Sequence, residues 1–231
     1  MCTSLKLTFL LSEGVVPRDR ENAFKDNAHW IHDWTFFLEP KSALELISGK
    51  YESFAVVRDP RARLLSALFD KVLYEYDDYF KNVVWPMMQF YAPYIPTVAE
   101  AMTVGQFLKF IEVTPDRMLD VHFQSQGSCL SGSYQSLFVF ERPDEIANFL
   151  AKYDMTMFNV APHSKRRDAK SPMSVSTDSG ILDLRMKLQE GVCDAFIADI
   201  SLEIELERIV GARFAEDFAL WQSLKSGPSN G

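Results

Sequence analysis

The chain has 231 residues, a formal net charge of −8 at pH 7, 47% apolar and 24% charged residues. That length suits one α/β domain with a sizeable core. An acidic chain without a basic block argues against duplex nucleic acid, which needs clustered Lys and Arg, and against electrostatic attachment to a membrane. Cys2, Cys129 and Cys193 are far apart and form no C-x-x-C pair. Neither a disulfide framework nor a zinc site is expected, no metal is expected, and reduced thiols in the cytoplasm fit. The opening MCTSLKLTFLLSEGVV lacks a long apolar core and a small-residue cleavage site, so no signal peptide is expected. No run reaches the roughly 18 apolar residues of a membrane span.

In chain order, Thr3 or Ser4 can cap a short amphipathic helix to about Glu13, stopped by Gly14. Residues 17–28 read as a charged loop, Trp30 to Leu38 as a short strand, and Pro40 to Ser48 as a helix ended by Gly49. Ser53 to Val57 is a short apolar run of the kind buried on both faces in a parallel sheet. Asp59 is placed as an N-cap and Pro60 as a first helical residue. Leu64, Leu65, Leu68, Val72 and Leu73 then recur at helical spacing.

Residues 75–97, rich in Tyr, Phe, Trp and Pro, read as an irregular insertion or short helices over a cleft. A helix is predicted from Thr103 to Ile111, a loop over LDVHFQSQGSCL, a buried strand from Ser136 to Phe140, and a helix from Arg142 or Pro143 to about Lys152. Residues 159–180 read as a long polar loop, Ile181 to about Gly211 as largely helical, 212–222 as a last helix, and 226–231 as a disordered tail. Alternating strands and helices predict an α/β fold with a mostly parallel sheet, as a single domain over 1–225.

Ligands of such sheets sit at the carboxyl ends of the strands. Arg58 closes its strand there, and its guanidinium can fork onto phosphate oxygens beside the free amides of a helix start. Ser66 can add a hydroxyl, and Arg63, Ser66 and Asp70 share one helical face. The alternative is an Arg58 paired with Asp59 or another carboxylate, and an Arg63 that is merely solvated.

The segment VVRDPRARLLSALFDK resembles the 3'-phosphate motif of sulfotransferases, R-D-P-x-x-R-x-x-S after a strand. Phe69-Asp70-Lys71 fits the branch that holds the carbohydrate sulfotransferases and bacterial relatives, the family 2 type. DVHFQSQGSCL is similar to that branch's H-W-x-P-Q segment and keeps His122, Gln126 and Cys129, with Phe123 for Trp and Ser125 for Pro. Glu141 follows a strand as in the branch, and RFAEDFALW resembles its Y-x-x-D-F ending, with Phe214 for Tyr and Asp217-Phe218 retained.

The resemblance implies a P-loop-like three-layer sandwich. It also implies a sulfotransferase that takes 3'-phosphoadenosine 5'-phosphosulfate as co-substrate, with Arg58 and Ser66 on its 3'-phosphate. A hydroxyl acceptor follows, most readily a carbohydrate. The opening Met1-Cys2-Thr3-Ser4-Leu5-Lys6 is similar to the second half of the family's 5'-phosphosulfate loop, so the first strand and the loop's Pro and Lys are expected to be missing. Cys2, Thr3 and Ser4 are then 5'-phosphate ligands.

Of four histidines, His122 is the first candidate for the base that takes the acceptor's proton, with a satisfied structural histidine as the alternative. His29 and His32 flank Trp30, where they could touch an acceptor. The loop PHSKRRDAKS reads either as a solvated basic loop or as a flap on the nucleotide, with Ser164 and Arg167 as its contacts. The aromatics of 74–94 either line an acceptor cleft or pack the core. Two other functions stay open: a truncated, catalytically inactive nucleotide-binding relative, and another phosphate-binding enzyme such as a small kinase. A homodimer is left open.

Overall fold

The computed structural model describes Leu5, Thr8, Phe9 and residues 52–91, 96, 98–130, 134–157 and 171–227. It is mixed α/β, as the alternating pattern predicted, and its described strands form two parallel pairs. The chain divides into two compact units, one of Met1–Val57, Gly132–Asp168 and Leu224–Gly231, the other of Arg58–Ser131 and Ala169–Ser223.

In the first unit, β1 (Phe54–Val57) and β2 (Ser136–Val139) run parallel, with Phe54 opposite Ser136 and Val57 opposite Val139. Both strands are half-buried to buried along their length, as an unbroken apolar run in a parallel pair requires. Pro143 opens the following helix, Pro143–Ala151. That helix buries Ile146, Phe149 and Leu150 in one cluster with Phe138. Phe54 packs on the cluster with its ring 5.2 Å from Phe149 and 5.9 Å from Phe138. Leu5 and Phe9, both helical, join its edge.

The second unit is built on a long helical run. The α-helix Pro60–Ala67 passes into two π-helical segments, Leu68–Tyr74 and Tyr76–Val84, and then into the α-helix Trp85–Tyr91. The reason lies in the side chains. Leu64, Leu68, Val72, Tyr76, Phe80, Val84 and Met88 recur every fourth residue and are all at most 3% exposed. At 3.6 residues per α-turn, such a stripe drifts by about 40° per step and would wind off the core. Turns widened to i→i+5 bonding, such as Glu75 N–H to Asp70 C=O at 3.0 Å, bring it back. Of the two readings of residues 75–97, the short helices are what the described residues form, and Tyr76 and Phe80 pack the core.

Thr103 caps the helix Val104–Val113 in a reciprocal capping box with Gln106, with bonds of 3.2 and 2.9 Å. Phe107, Leu108, Phe110 and Ile111 of this helix are fully buried in the same core. β3 (Pro172–Val175) and β4 (Ala195–Ala198) form a parallel pair, with the helix Ile181–Gln189 between them in the chain. Neither strand was predicted: the polar loop of 159–180 ends in one and the helical span from Ile181 contains the other. Gly191, at φ 71°, breaks that span. The helices Ile200–Arg213, capped by the Asp199 carboxylate, and Ala215–Ser226 follow. Among the described residues no helix is long and apolar enough to cross a membrane.

Candidate active site

Arg58 is the first residue of the second unit and precedes a helix start built from local chemistry. The Asp59 carboxylate accepts the Arg61 N–H at 2.9 Å, Pro60 has no N–H in need of an acceptor, and the first helical bond runs from Arg63 N–H to Asp59 C=O. Arg61 is held by Asp59 at 3.4 Å and Glu207 at 2.9 Å, with its guanidinium 5.8 Å from the Phe218 ring. Ser66 lies one turn beyond Arg63 on the same face, half-buried.

The backbone of Arg58 is tied to one side chain. Its N–H donates to Gln126 Oε1 at 2.9 Å, and its C=O accepts from Gln126 Nε2 at 2.8 Å. Gln126 in turn opens a short helix, Gln126–Cys129, capped by Ser125. The N–H groups of Gln126 and Gly127 donate to the two carboxylate oxygens of Asp217, at 2.6 and 2.8 Å. A Cβ on residue 127 would stand 3.2 Å from Asp217 Oδ1, which favours glycine at this close approach. Three segments far apart in sequence thus meet at the helix start.

Arg63 is not a solvated residue. Its guanidinium donates to Gln124 C=O at 2.5 Å and Val121 C=O at 3.0 Å, so it holds the turn that carries His122. Gln124 Nε2 reinforces that turn through Leu119 C=O at 2.7 Å. Asp116 accepts from Ser125 N–H at 2.9 Å and from Arg213 at 3.3 Å. Burial raises the Asp116 carboxyl, but these donors outweigh it and hold the group below the usual carboxylate range.

His122 is 42% exposed and lies against Asp120, with Nδ1 2.5 Å from Oδ1. The His122 N–H reaches the same oxygen at 3.0 Å, which the two-residue spacing allows in a turn. Tyr79 completes the group: its hydroxyl is 3.3 Å from His122 Nδ1 and its ring stands edge-on at 5.7 Å. Burial raises the Asp120 carboxyl, yet the Tyr79 hydroxyl and the His122 N–H and ring bring it below its ordinary value. Burial and the Asp120 carboxylate push the Tyr79 hydroxyl well up, so it stays protonated as a donor. An imidazole whose Nδ1–H is taken by a carboxylate offers Nε2 as its basic atom. His122 lines a shallow surface cleft with Pro60, Arg63, Leu64, Phe123 and Phe214.

Arg58, Ser66 and His122 all lie in the second unit, and the cleft of His122 begins at Pro60, two residues after Arg58. Cys2, Thr3, Ser4, Ser164 and Arg167 lie outside the described residues, as do His29, His32 and His163. Tyr79, Asp120 and Gln124 were missed. The D-x-H spacing of Asp120 and His122 was the available signal. Among the described residues no group of three or more His, Cys, Asp or Glu could hold a metal ion.

Comparison with known proteins agrees with the motif at Arg58. The family model described as the Sulfotransferase family matches residues 1–175, three quarters of the chain. No curated protein and no solved structure matches. The match covers Arg58, Ser66, His122 and Gln126, and on it the chain belongs to the sulfotransferase family.

Proposed function

We propose that this protein transfers a sulfuryl group from 3'-phosphoadenosine 5'-phosphosulfate to a hydroxyl of a carbohydrate, in the cytoplasm. The observation that carries the reading is the helix start at Arg58, where an arginine with a clamped backbone precedes Asp59, Pro60 and a serine-bearing helix. Arg58 forks onto the 3'-phosphate and Ser66 donates its hydroxyl to it. Cys2, Thr3 and Ser4, by their likeness to the family's loop, are ligands of the 5'-phosphosulfate, and Ser164 and Arg167 are further nucleotide contacts.

The acceptor enters the cleft beside His122. Its oxygen attacks sulfur in line as the bond from sulfur to the 5'-phosphate oxygen breaks. His122 Nε2 takes the hydroxyl proton, and adenosine 3',5'-bisphosphate leaves. Asp120 holds the ring by Nδ1 and so fixes the direction in which Nε2 points. Tyr79, donating to Asp120, fixes that carboxylate in turn.

The test is transfer of radiolabelled sulfate from the donor to a panel of oligosaccharides. The wild type is expected to label at least one. His122→Ala should lower turnover by about 10²-fold or more with donor-product binding unchanged. Binding of the donor product without transfer to any hydroxyl acceptor would contradict the reading.

A further inference from the structure

Resting on that donor reading, we infer that Gln126 and Asp217 are positioning residues for the 3'-phosphate: they fix the backbone of Arg58, and through it they set the selectivity for nucleotides that carry a 3'-phosphate over those that do not. Neither residue needs to touch the nucleotide.

A guanidinium on a long side chain grips a phosphate bidentately only when its Cα is held, because a shift of about 1 Å at the root misplaces the fork. Arg58 lies in the two residues between the end of β1 at Val57 and the helix start at Pro60. Its N–H and its C=O are both bonded by the side chain of Gln126, at 2.9 and 2.8 Å. A primary amide is suited to this because it presents one acceptor and one donor side by side in a plane. It does for this single residue what a neighbouring strand would do.

The amide is itself anchored. Asp217 takes the backbone N–H groups of Gln126 and Gly127 on its two oxygens, and it is only 2% exposed. Ser125 takes the Ser128 N–H at 3.1 Å and is held from behind by Asp116. The linkage runs from the end of one helix, through a short second helix, to the backbone of one arginine. Arg58 and Gln126 are both only partly buried, so these bonds are not spent on satisfying a deep core. What they fix is the position of Arg58.

The test compares adenosine 3',5'-bisphosphate with adenosine 5'-monophosphate by calorimetry, on the full chain. In the wild type the ratio of their dissociation constants reads the 3'-phosphate contact. In Gln126→Ala and in the space-filling Gln126→Met, that ratio should fall by about tenfold, the equivalent of one or two lost hydrogen bonds, with the monophosphate binding nearly as before. Asp217→Asn should lower it in the same direction. In an Arg58→Ala background, Gln126→Ala should change the ratio no further, because Gln126 acts through Arg58. A wild-type ratio near one overturns the donor reading itself. A high wild-type ratio that Gln126→Ala and Gln126→Met leave intact overturns only the positioning role. So does loss of cooperative melting in both variants, which would make the linkage a general requirement for folding.

Discussion

Asp217 receives the backbone N–H groups of both Gln126 and Gly127 on its two carboxylate oxygens, across 91 and 90 positions of sequence. A carboxylate buried to this degree is tolerable because the amides of a helix start meet both of its oxygens. Removing it strands those amides. Asp217→Ala should destabilise the protein by about 3 kcal/mol, and Asp217→Asn by about 2 kcal/mol since one oxygen survives. Urea unfolding measures both.

Arg63 makes a different prediction from the one its place in the motif suggests. Its two bonds go to Gln124 and Val121 carbonyls, in the turn around His122. Arg63→Ala should cost about 1–3 kcal/mol. It should also speed hydrogen exchange across residues 121–124 while binding of the donor product persists. Arg63→Lys should rescue little, since one ammonium cannot span both carbonyls as a fork does.

Acid stability carries the signature of Glu112. Arg208 and then Lys109 hold this carboxyl down to about 2, from an ordinary 4.5. A depressed carboxyl stabilises the fold fully above its unfolded value and loses that contribution as the pH falls through its folded value. Stability should therefore drop between about pH 4.5 and 2. Arg208 is 45% exposed, so solvent screening limits the effect to roughly 1 kcal/mol. Glu112→Gln should lower stability at neutral pH and flatten this part of the acid limb in denaturation scans.

Tyr76 carries a hydroxyl the core does not use. The side chain is 1% exposed, stacks on Phe80 at 5.2 Å, and its oxygen finds no hydrogen-bond partner among the described residues. Burial, with Glu100 and Asp77 nearby, pushes that hydroxyl up to about 12. Tyr76→Phe keeps the ring and removes the unsatisfied group, so it should leave stability unchanged or raise it by up to about 1 kcal/mol. A melt of the two proteins compares them directly.

The helix starts and strands around the candidate site were legible because their chemistry is local. Asp59 and Pro60 announce a helix start within two residues, and Thr103 announces another; each cap forms as read. β1 and β2 were legible as unbroken apolar runs. The π-helical turns were not: Tyr76, Phe80 and Val84 stand at i, i+4 and i+8, a spacing an α-helix shares, and the aromatic and acidic residues between them resemble a loop. The strand Ala195–Ala198 is short, carries alanine at both ends and follows a helix closely, so periodicity alone assigns it to that helix. Gln126 and Asp217 each stood out by resemblance, but a bond spanning 91 positions leaves no local trace that would join them.

In the proposed function Arg58 and Ser66 hold the 3'-phosphate of the sulfuryl donor. The most direct measurement is a thermal-shift titration with adenosine 3',5'-bisphosphate on the wild type, Arg58→Ala and Ser66→Ala. At about 100 times its dissociation constant the ligand should stabilise the wild type by roughly 2.7 kcal/mol, a shift of several degrees. Arg58→Ala should abolish that shift and Ser66→Ala should reduce it. A shift that survives unchanged in Arg58→Ala, or no shift in the wild type, would contradict the assignment of this site.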